Sequence, residues 1–417
     1  DAFEGCGIKS INIPESIKSI GQSAFFDCKN LQKVEFASIE SLLTIDYENY
    51  SANPLNAFLL DYESESIKYT NAQLYIGGKE ISEVIIPNTM TEIKPYSLSI
   101  RNINTVIIPE SVKKIEHGAF CGSGINSINI PESIKNIGQG AFAYCDNLQK
   151  VEFSSIESIC SMHYDYPDRD PESEGSVSNP LYYANHLFID GIEITDLYIP
   201  ETVIQICPFA LYGCKVLSSV NIPNSVIKIG EGAFGYCDGL SSVTIPESVK
   251  LIADYAFTEC KNLSSVIISD TIEKIGECAF EGCINLLSVT IPKSIKSIGY
   301  LAFNRCERLE KIFYNTLNPI SISKNYEIFN DETFIYATLY VPAESLLKFD
   351  NVSPWRYFKH IEVDNSMSSV ENSIEENIEY KVYTPDGQCI RSSLEELPEG
   401  LYIIRDNKNR SKIKVKR

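Results

Sequence analysis

Leu240-Ser241-Ser242-Val243-Thr244-Ile245-Pro246-Glu247-Ser248-Val249-Lys250-Leu251-Ile252-Ala253-Asp254-Tyr255-Ala256-Phe257-Thr258-Glu259-Cys260-Lys261-Asn262 is one period of a pattern that runs through most of the chain. The same phrase returns as Ser218-Ser219-Val220-Asn221-Ile222-Pro223, Ser264-Ser265-Val266-Ile267-Ile268-Ser269 and Leu287-Ser288-Val289-Thr290-Ile291-Pro292, at a spacing of 23 residues. Pro87, Pro109 and Pro131 recur at 22; Pro14 opens the series and Pro200 restarts it. Val243 and Ile245 stand two apart, so in a strand they point to one face. Pro246 removes a backbone donor and ends regular pairing. Glu247 and Ser248 then turn the chain, and Val249 and Ile252 form a second, shorter extended piece facing the same interior. Ala256-Phe257 with Cys260 reads as one tight helical turn closed by Cys or Gly. No single coil can bury its own apolar edge, so neighbours must stack. The spacing predicts a β-rich solenoid of about fourteen coils with short turns or 3-10 segments.

Composition agrees with a folded chain of this kind. The 417 residues are 44% hydrophobic and 22% charged, which argues against wholesale disorder. A net charge of −20 repels nucleic-acid backbones, so no nucleic-acid partner is expected. No run of 18 apolar residues is present, so no membrane span is expected. The first residues, Asp1-Ala2-Phe3-Glu4-Gly5-Cys6, fall in mid-repeat without an initiator Met. They imply a trimmed piece whose signal peptide, if it had one, is gone.

The rhythm is lost twice. After Val34-Glu35-Phe36 it resumes only at Leu74-Tyr75-Ile76-Gly77-Gly78; after Val151-Glu152-Phe153 it resumes at Leu187-Phe188-Ile189-Asp190-Gly191. The two interruptions, about 38–73 and 155–186, resemble each other: Ser38-Ile39-Glu40-Ser41 against Ser155-Ile156-Glu157-Ser158, and Asn53-Pro54-Leu55 against Asn179-Pro180-Leu181. The array therefore carries a higher-order duplication, and each insertion reads as a long loop leaving one face.

The IPxSVxxIGxxAFxxC unit, as at Ile222 to Cys237 and Ile245 to Cys260, resembles the BspA-like leucine-rich-repeat family of bacterial surfaces and some protozoa. The match covers about residues 1–315, with a related closing segment within 316–363 (Ala337 to Val363). The resemblance implies a leucine-rich-repeat solenoid over 1–363. It also implies an extracellular or cell-surface setting and a binding or adhesion role, with a host or bacterial surface protein as partner. The longer asparagine-containing signature of ribonuclease-inhibitor-like repeats is missing, so convex α-helices are not expected. Residues 364–379 read as an acidic linker. In 380–417, Leu397, Pro398, Gly400, Tyr402 and Ile404 match the core of a type IX secretion sorting domain residue by residue; a small all-β cap with no sorting role is the alternative.

Chemistry is hard to find. Of 13 cysteines, Cys6, Cys28, Cys145, Cys214, Cys237, Cys260, Cys283 and Cys306 hold the closing slot of a unit, which stacking turns into a column of buried small hydrophobes. Disulfides are the alternative in an exported chain, and the odd count leaves at least one thiol over. His117, His163, His186 and His360 are scattered, and none of the HExxH, GxSxG or Walker-type patterns occurs. No enzyme, cofactor or metal is expected. Asp165, Asp168, Asp170, Glu172 and Glu174 in the second insertion read as a solvated acidic loop or, failing that, a calcium loop. Tyr164, Tyr166, Tyr182 and Tyr183 in the same insertion either anchor a partner or pack the loop back onto the array. The outward strand positions Ser218, Ser219, Asn221, Ser241, Ser242 and Thr244 form a flat, nearly uncharged face. That face is either plain solubility or a recognition surface, for a protein first and a glycan second.

Overall fold

In this computed structural model, residues 2–56, 70–165, 177–322 and 327–364 are described in full. The backbone is described for 58–60, 67–69, Tyr380–Tyr383, Cys389–Ile390, Gly400–Asp406 and Ser411–Lys416. The chain divides into two compact units, Asp1–Met367 and Ser368–Arg417.

The first unit is a β-solenoid of about fourteen turns. Its first wall is built from parallel strands in sheets of four, six and eight. In the eight-stranded sheet Val243 pairs beside Val266 and Thr244 beside Ile267. Exposure alternates along Ser242–Ile245, with Val243 and Ile245 inward and Ser242 and Thr244 outward. The second wall consists of two-residue parallel strands such as Leu251–Ile252 against Lys274–Ile275. Between the strands and the turns lies one continuous core of Ile, Val, Leu, Ala, Phe and Cys.

The segment expected to be a helical turn is instead a third ladder. The N–H groups of Tyr255, Phe257 and Glu259 donate to the carbonyls of Glu277, Ala279 and Glu281 in the next coil, at 2.8, 2.8 and 2.6 Å. The intervening Ala256, Thr258 and Cys260 donate back to Ala253, Tyr255 and Phe257 of their own turn. This alternation needs left-handed backbone at Tyr255 (φ 57°) and Glu259 (φ 53°), which costs an L-residue about 1–2 kcal/mol. Gly118, Gly122, Gly232 and Gly282 occupy the same slots in other coils. The bonds made to the next coil offset that strain where the residue is not glycine.

Side chains reinforce the third ladder. Phe234, Phe257, Phe280 and Phe303 stack nearly parallel at 5.3, 5.4 and 5.3 Å. Beside them the thiols of Cys237, Cys260, Cys283 and Cys306 donate to the carbonyls of Leu211, Phe234, Phe257 and Phe280, at 3.1–3.3 Å. The expected cysteine column is thus a run of free thiols, with Cys28 and Cys145 donating to the preceding coil in the same way and Cys6 only half-buried at its end. Desolvation pushes the column thiols from Cys28 to Cys306 up, Cys214 to about 12.

The two interruptions are more ordered than long loops. Each opens with a helix, α1 (Ile39–Thr44) and α2 (Ile156–Ser161), capped reciprocally by Ser38 with Ser41 and by Ser155 with Ser158. Each then restores the second wall: Asp46–Tyr47 pairs with Ser19–Ile20, and His163–Tyr164 with Asn136–Ile137. Asn53 and Asn179 are buried, holding the N–H of Leu55 and Leu181 with one end. With the other end they reach the carbonyls of Tyr96, and of Phe209 and Ala210. The extra chain sits differently in the two copies. In the first it follows Asn53-Pro54-Leu55 and carries the hairpin Phe58–Leu60 with Ile67–Tyr69; in the second it precedes Asn179.

Each interruption ends in a tight hairpin with positive φ at both central residues, Gly77-Gly78 and Asp190-Gly191. The return strands Lys79–Glu80 and Ile192–Glu193 lie antiparallel, which is why the first wall splits into three sheets. Glu35 accepts from Gly78 N–H at 2.6 Å and Glu152 from Gly191 N–H at 2.7 Å. Lys33 pairs with Glu35 and lies over the Tyr75 ring; Lys150 pairs with Glu152 and lies over the Phe188 ring. At the other end Trp355, fully buried, packs on Tyr314 and Phe349 and donates to the Ile320 carbonyl at 2.9 Å.

In the second unit the four strands form an antiparallel sheet in the order Cys389–Ile390, Tyr380–Tyr383, Gly400–Asp406, Ser411–Lys416. Gly400, Tyr402 and Ile404 of the sorting-like motif lie on one strand; Leu397 and Pro398, like the linker 365–379, fall outside the described residues.

Candidate interaction surface

Stacking at constant register turns sequence positions into columns. One outward column of the eight-stranded sheet runs Asp196, Ser219, Ser242, Ser265, Ser288, Lys311, Thr338. The next runs Tyr198, Asn221, Thr244, Ile267, Thr290, Phe313, Tyr340. Between Asp196 and Lys311 neither column carries a charge, on a chain of net −20. Four strands at about 4.8 Å give an uncharged strip on the order of 20 Å wide. Ile267 is 60% exposed and Tyr198 68%, and Phe313 stacks on Tyr340 at 4.9 Å.

The serines differ in what they have left to offer. Ser218 donates to the Thr195 carbonyl and to Asp196, and Ser219 also donates to Asp196. These hydroxyls, with that of Thr195, hold the Asp196 carboxyl below the usual carboxylate range. Ser241 donates to the Ser218 carbonyl. The side chains of Asn221, Ser242 and Thr244 find no hydrogen-bond partner among the described residues. Their donors and acceptors are held in place by the sheet and remain available. Sequence reasoning found the hydroxyl and amide positions but missed Tyr198, Ile267, Phe313 and Tyr340 on the same face. The alternation of Ser265–Ile268 and Lys311–Tyr314 with their neighbours carried that signal.

Tyr164, Tyr182 and Tyr183 do not form a protruding cluster. Tyr164 is a correction: it is buried in the second-wall strand His163–Tyr164, because its ring fills the slot that Ile137 fills one coil earlier. Tyr182 stacks on Tyr212 at 5.7 Å and meets Tyr183 and Tyr236 edge-on. It and the half-buried Tyr183 pack the insertion back onto the array. Tyr166, with Asp168, Asp170, Glu172 and Glu174, lies outside the described residues. His163 sits 3.7 Å from Asp165, and His186 beside Glu193, both pairs exposed. An open groove of about 420 Å³ beside Ser297–Ile298 is lined by Asp254, Lys274, Glu277, Lys296, Tyr300 and Ser321, and includes neither histidine. Among the described residues no helix is long and apolar enough to cross a membrane.

Comparison with known families matches the BspA type leucine rich repeat region, in six copies, over residues 1–120, 68–166 and 183–310. The match is to a repeat family and not to a catalytic one. Among solved structures, a leucine rich cell surface protein from Faecalibacterium prausnitzii is similar at 25% identity, covering 76% of this chain and 80% of that chain, with TM-score 0.48. A leucine-rich repeat protein from Bacteroides ovatus is similar at 19% identity, covering 85% and 91%, with TM-score 0.44. The pneumococcal vaccine antigen PcpA is similar at 16% identity, covering 86% and 92%, with TM-score 0.45. Comparison with curated proteins gives no match.

Proposed function

Since the chain belongs to the BspA type leucine rich repeat family, we propose that it is a non-catalytic binding scaffold at the cell surface or in the extracellular space, recognising a protein partner. The observation that carries this reading is the uncharged strip of the eight-stranded sheet. It presents rigid hydroxyl and amide groups beside Tyr198, Ile267, Phe313 and Tyr340, at little cost in ordering side chains on binding. A partner whose contact patch is polar but uncharged fits this face.

The test is a screen of the whole chain against extracellular proteins, repeated with Thr244→Arg and Ile267→Arg together. Binding that falls at least tenfold in the double variant, at unchanged thermal midpoint, supports the assignment. Binding that survives places the partner elsewhere on the array. A glycan is the second reading, favoured by Tyr198 and the Phe313–Tyr340 stack standing among hydroxyl groups on one face. A glycan array with a Tyr198→Ala control decides between them. The sorting role of 380–417 belongs to the same proposal; deleting those residues from a strain with type IX secretion should retain the protein inside the cell.

A further inference from the structure

Cysteines outside the repeat slot are few, and two of them meet. Cys160 ends α2 and is buried; Cys207 follows the second-wall strand Gln205–Ile206 and is half-exposed. The N–H of Cys207 donates to the carbonyl of Cys160 at 2.8 Å. The end of α2 thus serves as the missing rung beside Gln205–Ile206. Two residues joined by such a bond have Cα atoms on the order of 5–6 Å apart, inside the range of Cα separations that a disulfide spans, about 4.4–6.8 Å. Burial and then the nearness of Cys207 push the Cys160 thiol up to about 12. Burial, and then both cysteines, push the Tyr164 phenol up, and its buried hydroxyl has no hydrogen-bond partner among the described residues.

The internal duplication supplies a second, independent observation. Val34 to Tyr47 aligns without a gap on Val151 to Tyr164, and Val84 to Leu98 on Leu197 to Leu211. In the first copy the two positions are Leu43 and Lys94, an apolar residue and a surface lysine. In the second copy both are cysteine. A repeat slot does not explain this, because neither residue lies in the closing column, and a lone buried thiol would not require a partner to change with it.

We propose that Cys160 and Cys207 are an oxidisable pair that closes a disulfide, staples α2 to the coil behind it, and is distinct from the permanently reduced thiol column. With a low-molecular-weight disulfide such as oxidised glutathione as the oxidant, the half-exposed Cys207 thiolate attacks one glutathione sulfur and expels a glutathione thiolate. The Cys160 thiolate then attacks the Cys207 sulfur, and the second glutathione leaves. Two thiols are oxidised to one disulfide and one glutathione disulfide is reduced to two thiols, which carry the two protons. Desolvation raises the Cys207 thiol above its ordinary value, so exchange accelerates as pH rises through the alkaline range.

The test treats the reduced full chain with oxidised glutathione at pH 8.5, quenches with acid, alkylates and digests it. A peptide pair linking Cys160 to Cys207 is expected. Beyond any glutathione taken up at Cys6, the thiol titre should fall by two from 13, and the thermal midpoint should rise in the oxidised form. Cys207→Ser should leave Cys160 reduced. Should that variant fold poorly, Cys160→Leu with Cys207→Lys restores the first copy's residues and should fold while losing no thiol other than Cys6. An unchanged titre, glutathione left attached at Cys207 alone, or a link between two column cysteines such as Cys237 and Cys260 would each overturn the proposal.

Discussion

Truncating Phe257 to alanine tests the stacking argument at its most loaded point. The ring is fully buried and lies between Phe234, at 5.3 Å and 1°, and Phe280, at 5.4 Å and 5°. Phe→Ala in a packed core costs about 3–5 kcal/mol, and each aromatic pair adds about 0.5–1.5 kcal/mol beyond its area. With two pairs lost and a stiff ladder that cannot collapse into the gap, the cost belongs near the upper end. Phe3 supplies the control, being 39% exposed and stacked on Phe25 alone, so Phe3→Ala should cost roughly 1 kcal/mol. In a quasi-one-dimensional array the loss is felt by the mutated coil and its neighbours. Hydrogen exchange should therefore quicken most across 232–283, with denaturant melting shifted by the stated amount. Equal costs for the two variants, or protection lost evenly along the whole chain, would refute the reasoning.

Other outcomes follow from particular contacts. Asn179→Ala strands the Leu181 N–H and removes the bonds to Phe209 and Ala210; a loss of about 1–3 kcal/mol is expected by denaturant melting, and a similar one for Asn53→Ala. The Glu152 carboxyl is held low by the Lys150 ammonium and by the Gly191 N–H. A depressed native value contributes stability above the ordinary glutamate pKa, about 4.3, and loses it as pH falls through the native value. Midpoints measured between pH 7 and pH 3 should therefore fall more steeply in the wild type than in Glu152→Gln. Native alkylation should modify Cys6 and Cys207 before the column cysteines from Cys28 to Cys306, which should react only in denaturant. The single Trp355 should emit as a buried indole, and its transition should report the melting of the Tyr314–Phe349 cap.

Much of this architecture was legible before coordinates. The period, the inward Val243 and Ile245, the short second strand and the thiol column depend on spacing, and spacing survives translation into space. The third wall was misread because apolar Ala256-Phe257 with Cys260 has helical spacing, while the decisive quantity is the sign of φ at Tyr255 and Glu259. Residue type hides that sign, although glycine at the same slots in Gly118, Gly122 and Gly282 displays it. The insertions were misread for a related reason. Their rungs are two residues long, too short for periodicity to register, and α1 and α2 replace the proline turn with a serine cap. Tyr164 looked like a loop aromatic only because that rung went unseen. The strip itself was half legible: hydroxyl residues at alternate positions are visible in one repeat, but Ile267 and Phe313 join them only once register across coils is known.

That division between what is fixed and what is free explains why such a chain suits recognition. Each coil settles its backbone through three separate ladders and fills the space between them with Val, Ile, Phe and Cys, so the outward positions of the first wall contribute little to stability. A replacement such as Thr244→Arg faces solvent and touches no ladder bond, and should change stability by no more than about 0.5 kcal/mol. The Asp196–Ser219 pair and the Lys150–Glu152–Gly191 pin are exceptions, because there an outward side chain closes a hairpin or neutralises an edge. The strip from Asn221 and Ser242 to Thr290 holds none of these, so its side chains can answer to a partner alone.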